Sequence, residues 1–235
     1  MKKTVLLLFF LLPFLVSAQN RKKKDFLVTL TTKYGPMRLV LYDQTPKHKE
    51  NFIRLTNERF YDSLLFHRVI QGFMIQGGDP GSRMAQPGQL LGDGENGYKV
   101  PAEIVPELFH KKGTLAAARD NNPEKASSGC QFYIVQGRTW TDDELQQQIE
   151  RGRTRSVSRV FTDAQKQTYK TLGGTPHLDG TYTVFGEVVD GLAVVDSIAK
   201  QPGNSVNRPL QDIRMGVSGK WVKKKKITKR YGYKF

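Results

Sequence analysis

The sequence predicts a mainly β protein built as a closed antiparallel barrel, with one helix early and one late. Three observations carry that reading. Short runs of alternating apolar and polar residues recur between 26 and 217. Strong helical spacing occurs only near residues 46–60 and 191–203, apart from a polar stretch at 137–175. Strands and helices therefore do not alternate one by one, as a parallel α/β sheet would require.

Taken in order, FLVTLTT (26–32) alternates with β-branched residues and reads as a strand. KYGP (33–36) is turn material, and MRLVLY (37–42) sets Met37, Leu39 and Leu41 on one face of a second strand, so the two form a hairpin. Thr45 suits an N-cap and Pro46 the first helical position. His48, Phe52 and Leu55 then recur at helical spacing, with Phe60 just beyond. Gly, Pro, Asp and Asn crowd 77–101, which predicts loop. GTLAAA (113–118) and CQFYIVQ (130–136) read as short buried strands, and TYTVFGEVV (181–189) alternates again. Leu192, Val195, Ile198 and Ala199 form the late helix, which Pro202 and Gly203 end, and DIRMGV (212–217) reads as the last strand. DDELQQQIE (142–150) and FTDAQKQTYKTLG (161–173) look helical with sparse apolar positions, so 137–175 reads as a helical insertion on a surface loop.

The 235 residues are 38% hydrophobic and 25% charged, an ordinary globular composition that supports one sizeable core or at most two small ones. The first residues differ. Lys2 and Lys3 precede an apolar run from Val5 to Val16, followed by Ser17 and Ala18. That order predicts a signal peptide over 1–18, and with it an exported protein of the periplasm or the exterior. The rival, a membrane anchor, needs about 20 apolar residues, and Pro13 interrupts a run already too short. Cys130 stands alone, so no intramolecular disulfide forms, and it reads as a small buried apolar residue.

The net charge of +15 suggests nucleic acid until it is partitioned. Without Lys2 and Lys3 it is +13, of which +3 falls in a basic N-terminal segment (19–25) and +8 in a basic C-terminal tail (220–235). The remaining domain, 26–219, carries only +2. No nucleic-acid motif accompanies the charge, so nucleic acid is not expected as a partner. The ends read as solvated tails, or alternatively as contacts to anionic surfaces.

The chain contains no phosphate loop, no HExxH or CxxC metal or redox motif and no GxSxG nucleophile elbow. Its four histidines, at 48, 67, 110 and 177, lack ligand spacing, and no cofactor or metal is expected. His67 reads as a buried hydrogen-bonding histidine. What remains is FHRVIQGFMIQGGDP (66–80), where Arg68 stands among Val69, Ile70, Phe73, Met74 and Ile75. An arginine always carries its charge and is not buried unpaired. Gly77 and Gly78 suit tight backbone geometry.

This stretch closely resembles the central motif of cyclophilins, the peptidyl-prolyl cis–trans isomerases. GTLAAAR (113–119), CQFYIV (130–135) and HLDGTYTVFGEVVDG (177–191) resemble the family's other blocks in the family's order, and YDQTPKHKENFIRL (42–55) resembles its first helix. The resemblance implies an eight-stranded antiparallel barrel capped by two helices, with a shallow apolar groove on its side. It implies that Arg68 is catalytic and that Phe73 and Met74 line a proline pocket with Tyr133 and Leu178 beside them. It implies that Gln76 orders Arg68, that Ala117, Ala118, Arg119 and Gln131 line the peptide groove, and that His177 and Tyr182 sit at its rim. The chain departs from the family where Tyr133 replaces a frequent phenylalanine, His177 a tryptophan, Tyr182 a histidine, Ala117 a methionine and Arg119 an asparagine. The tryptophan position is associated with cyclosporin binding, so weakened affinity for that drug is expected. The partners implied are proline-containing polypeptides in the course of folding, met by a monomer.

Overall fold

In a computed structural model, residues 23–154 and 161–235 are described. The expected signal peptide and the beginning of the basic N-terminal segment lie outside them. The strands are β1 (Lys24–Thr32), β2 (Gly35–Leu41), β3 (Phe66–Ile70), β4 (Met74–Gly77), β5 (Lys99–Val100), β6 (Thr114–Ala117), β7 (Ser127–Ser128), β8 (Phe132–Val135), β9 (Val184–Asp190) and β10 (Gly216–Lys223). The helices are α1 (Pro46–Asn57), α2 (Asp142–Thr154), α3 (Asp163–Thr171), α4 (Leu192–Ala199) and α5 (Lys224–Tyr231).

Eight strands form one sheet in the order β10-β1-β2-β9-β6-β8-β4-β3, every pairing antiparallel. The two-residue strands β5 and β7 pair separately. The sheet curls, but no strand ladder joins β3 to β10, which corrects the expected closed barrel. The chain just ahead of each edge makes a shorter junction instead. Ser63 N donates to Met215 O at 2.9 Å, Met215 N to Leu64 O at 2.8 Å and Phe66 N to Ile213 O at 2.9 Å. Leu65 and Arg214 form an isolated antiparallel bridge there, outside the two edge strands, and only Phe66, the first residue of β3, joins the junction from a strand.

Period-two alternation divides the sheet into two faces. Leu115, Ala117, Phe132, Ile134 and Ile75 point into the main core, where Phe52 and Leu55 of α1 and Val195 and Ile198 of α4 meet them. Ala116, Ala118, Tyr133, Val135 and Met74 face the other way and form a second apolar cluster on the outside of the sheet. The outer cluster is where the groove lies.

Helix α1 forms where its apolar spacing predicts, with Thr45 at the N-cap and Pro46 following as expected, but the Thr45 side chain makes no capping hydrogen bond. Glu103 supplies the cap from a distant loop, accepting from Lys47 N and His48 N at 3.0 Å each. Burial opposes the Glu103 charge, but hydrogen bonds from His48 and Lys47 hold its carboxyl below the usual range. Helix α4 ends at Ala199, ahead of Pro202 and Gly203 as predicted.

The C-terminal segment is not a solvated tail. β10 runs through Lys223, six residues past the strand predicted at 212–217, and α5 follows directly. Ile227 is fully buried against Leu27 and Val40 on the outer face of β1 and β2. Lys224 pairs with Asp43 at 3.1 Å, and Lys49 bridges Asp43 to the buried Asp25 at 2.6 and 2.7 Å. These contacts are non-local, so the lysine run could not announce them.

The helices α2 and α3 fall inside 137–175, as predicted, between β8 and β9. They are less superficial than their composition suggests. Leu145, Ile149, Phe161 and Tyr169 make a small core of their own with Phe109 and Trp140.

Candidate active site

A cavity of about 100 Å³ opens on the outer face of β4, β8 and β6. Nine residues that the sequence nominated line it: Arg68, Phe73, Met74, Gln76, Ala118, Arg119, Tyr133, Leu178 and Tyr182. They come from β3, the β3–β4 turn, β4, the end of β6, β8 and the approach to β9, which the pairing of β4 with β8 and of β8 with β6 brings side by side. The cavity is far smaller than the roughly 300–1,000 Å³ of ordinary small-molecule sites, and suits a ring rather than a cofactor.

One wall is held by a chain of amides. Arg68 Nη1 donates to Gln76 Oε1 at 3.3 Å, and Gln76 Nε2 donates to Gln131 Oε1 at 3.1 Å. Gln131 Nε2 in turn donates to Gly92 O at 2.7 Å and Gly94 O at 2.8 Å. Each amide's orientation is fixed by the next, because an amide oxygen only accepts and its nitrogen only donates. The Arg68 guanidinium also lies 5.9 Å from the Phe73 ring centroid. The arginine is thus half-buried, hydrogen-bonded and over an aromatic face.

The loop that receives Gln131 is held by Asp79, which accepts from Gly92 N at 2.5 Å, from Gly94 N at 3.3 Å and from Gly81 N at 2.7 Å. A Cβ at Gly94 would overlap the Asp79 carboxylate, so a larger residue there would displace it. Gly78 has φ +95°, and a Cβ on it would overlap the Cys130 carbonyl. Gly78 thus serves tight backbone geometry, as expected of this stretch, and so does Gly77, where a Cβ would crowd Leu65 O.

The opposite wall is aromatic. The Tyr133 ring lies nearly parallel to His110, with centroids 6.0 Å apart, and meets Tyr182 edge-on at 5.9 Å. Arg119 lies over Tyr182 at 4.8 Å and donates from Nε to Thr181 O at 2.9 Å. Its charge is therefore turned onto a ring and a carbonyl. Burial pushes the Tyr133 phenol well above its ordinary range, so it stays protonated.

Three nominated residues lie off the cavity. Gln131 acts one step behind it, as described. Ala117 points into the main core beside Phe132, because it follows Ala116 on a strand whose faces alternate. His177 is exposed and tilts its ring against Phe73 at 5.4 Å, just outside the lining.

Sequence reasoning missed Asp79, His110, Asp179 and Tyr169. Asp79 had a signal, since Asp-Pro-Gly begins a short helical turn that its side chain caps. His110 had none beyond being a solitary histidine. His67 is buried, as expected, but neither ring nitrogen has a hydrogen-bond partner. Burial drives its pKa down to about 4, so it is neutral. Cys130 is buried just before β8, and burial pushes its thiol up to about 11, which leaves it inert. Among the described residues no cluster of His, Cys, Asp or Glu could hold a metal ion.

Comparison with known proteins agrees with this geometry. Residues 27–219 match the family model of cyclophilin type peptidyl-prolyl cis-trans isomerases. A protein of Streptococcus pyogenes, described as a bifunctional phosphatase/peptidyl-prolyl cis-trans isomerase, is 37% identical over 79% of this chain and 37% of its own length. A protein of Staphylococcus haemolyticus, described as a peptidyl-prolyl cis-trans isomerase, is 32% identical over 79% of this chain and 86% of its own. A cyclophilin of Cryptosporidium parvum, crystallised in the presence of the dipeptide Ala-Pro, superposes with TM-score 0.60 at 25% identity, covering 82% of this chain and 97% of that one. With the motif order, the sheet and the relatives in agreement, the chain belongs to the cyclophilin-type peptidyl-prolyl cis–trans isomerases.

Proposed function

We propose that this isomerase acts on X–Pro bonds of exported polypeptides during their folding, with Arg68 stabilising the twisted amide. Rotation about a peptide bond meets a barrier of about 18–20 kcal/mol, set by amide resonance. At X–Pro both isomers are populated and exchange takes tens to hundreds of seconds. As the bond twists, the prolyl nitrogen pyramidalises and regains a lone pair. A fixed guanidinium donates to that lone pair better than to the planar amide, which is differential stabilisation of the transition state. Phe73, Met74, Tyr133 and Leu178 hold the proline ring while the acyl group turns, and the water that a bound proline displaces strengthens the donor.

The observation that carries this reading is Arg68 held by Gln76 at the edge of a cavity of ring size that Phe73, Met74 and Leu178 help to line. An NMR exchange assay or a protease-coupled assay on an X–Pro peptide tests it. Arg68→Ala should lower kcat/KM by about 10²–10³, the loss typical of one preorganised donor. An unchanged rate would remove Arg68 from the mechanism. If the variant still prevents aggregation of unfolded clients as well as the parent does, the groove works by binding as well as by turnover.

The basic C-terminal end supports a separate reading, contact with anionic surfaces. Lys24 stands directly opposite Lys223 across β1 and β10, and Lys225, Lys226, Lys229 and Arg230 are exposed on α5. Like charges placed opposite one another cost stability, and a polyanion would offset that cost. Charge reversal at Lys223 and Lys226 should abolish binding to phosphatidylglycerol vesicles. Deleting 220–235 would be a poor test, because it removes half of β10 and the buried Ile227.

A further inference from the structure

Behind the aromatic wall lies a buried relay that the isomerase reading does not use. Tyr133 OH is 2.9 Å from His110 Nε2. His110 Nδ1 is 2.7 Å from Asp179 Oδ1, which also accepts from His110 N at 2.8 Å. Asp179 Oδ2 accepts from Tyr169 OH at 2.5 Å. His110 and Tyr169 are wholly inaccessible, and Tyr133 and Asp179 are 4% exposed. The four groups come from four places in the chain. Tyr133 is on β8, His110 precedes β6, Asp179 precedes β9, and Tyr169 is on α3.

The chemistry of the relay has one direction. Asp179 accepts from Nδ1 and fixes the imidazole tautomer, leaving Nε2 to accept. The Tyr133 phenol, kept protonated by burial, donates to it. Both Asp179 oxygens are engaged, so the carboxylate cannot turn without breaking a bond at the far end. That far end is the Tyr169 hydroxyl. Its ring is fixed by Phe109 at 5.4 Å and Phe161 at 5.9 Å in the small core of the α2–α3 segment.

We propose that the α2–α3 segment is a positioning element of the proline pocket: Tyr169, acting through Asp179 and His110, locks the Tyr133 ring in the orientation that lines the cavity. Tyr169 is a positioning residue and touches no substrate. The bond to His110 fixes the phenol oxygen, which lies on the ring's own axis, and the edge-on contact with Tyr182 fixes the ring plane, so the ring offers proline a fixed surface. Arg68 lies on the other wall and keeps its own support from Gln76. The relay therefore governs how well proline is bound, and not how fast the bound amide turns. The inference rests on the groove being the proline site.

The test uses the full chain. Tyr169→Phe keeps the packed ring and removes the terminal hydroxyl. On an X–Pro peptide it should raise KM by about threefold to tenfold and leave kcat within about twofold, the range expected for one hydrogen bond acting on binding alone. In a Tyr133→Phe background, where there is no phenol to position, the same substitution should change KM no further. A fall in kcat with unchanged KM, or full additivity of the two substitutions, would overturn the proposal. Asp179→Asn is the second variant and should raise KM in the same way.

A readout free of turnover separates this inference from the isomerase reading. NMR of the Tyr133 hydroxyl proton should show slow exchange with water in the parent and faster exchange in Tyr169→Phe. Equal exchange rates in the two would overturn the relay even if isomerisation is observed. Slow exchange lost in the variant, together with no isomerisation by the parent, would uphold the relay and remove the reading on which its function rests.

Discussion

The two walls of the groove are built from the same kind of strand and held in opposite ways. The arginine wall is tied by a chain of neutral amides that ends on loop carbonyls at Gly92 and Gly94. The tyrosine wall is tied by a carboxylate–imidazole–phenol chain that ends inside a helix. Each wall has a buried histidine near it, and the pair shows the difference most sharply. His110 has a partner at each ring nitrogen. His67 has none, and lies against Gly92 at the bulge of β3. A half-exposed cation needs only to be aimed, and amides that share bonds with loop backbone do that cheaply. A fully buried polar group must be satisfied or it costs about 1–3 kcal/mol.

If that contrast is right, substitutions should separate into those that lose rate and those that lose stability. The largest effect should be Arg68→Ala, with about 2.7–4 kcal/mol of transition-state stabilisation lost and the urea midpoint almost unmoved. Equal losses of rate and stability would mean that Arg68 is a structural ion pair.

Next comes acid. The folded pKa of His67 is about 4 against 6.5 in the unfolded chain, so the unfolded state binds the proton first. Stability should be full above pH 6.5 and fall as pH drops from 6.5 towards 4, by about 3 kcal/mol. His67→Leu should flatten this acid limb in urea titrations and leave stability at pH 7.5 equal or higher, because it removes no hydrogen bond. An acid limb identical to the parent's would remove His67 as its cause.

Asp179→Ala strips His110 and Tyr169 of their shared acceptor and should cost roughly 1–3 kcal/mol of stability. Calorimetry would break the comparison if this variant melted no lower than Gln131→Leu. Gln131→Leu is the smallest effect. It frees Gln76 and the Gly92 loop, and should cost about tenfold in kcat/KM for one lost positioning bond, with little change in melting temperature.

Much of the fold was legible. Alternation at 26–32, 37–42 and 181–189 placed strands, and the spacing of His48, Phe52 and Leu55 placed α1, because faces buried on one side leave a periodic trace. Motif order found nine of the residues lining the cavity. Less legible were the far-off partners. Glu103 caps α1 from another loop, Ile227 anchors a run that reads as pure charge, and Tyr169 reaches Asp179 out of a polar helix. Those roles depend on which distant residue arrives, and no local pattern records that.

The sequence by itself determined the strands near 26–32, 37–42, 113–118, 130–136 and 181–189, the early and late helices, the family and the arginine on the groove wall, since these follow from local periodicity and from a motif read residue by residue. Only the tertiary structure decided that the sheet's edges meet through a short junction, that Ala117 turns inward while Ala118 lines the cavity, and that α3 hands a hydroxyl to the network behind Tyr133. The reason is physical: alternation fixes which residues share a face, but which face meets the core and which buried donor finds which acceptor are settled only when the strands pair.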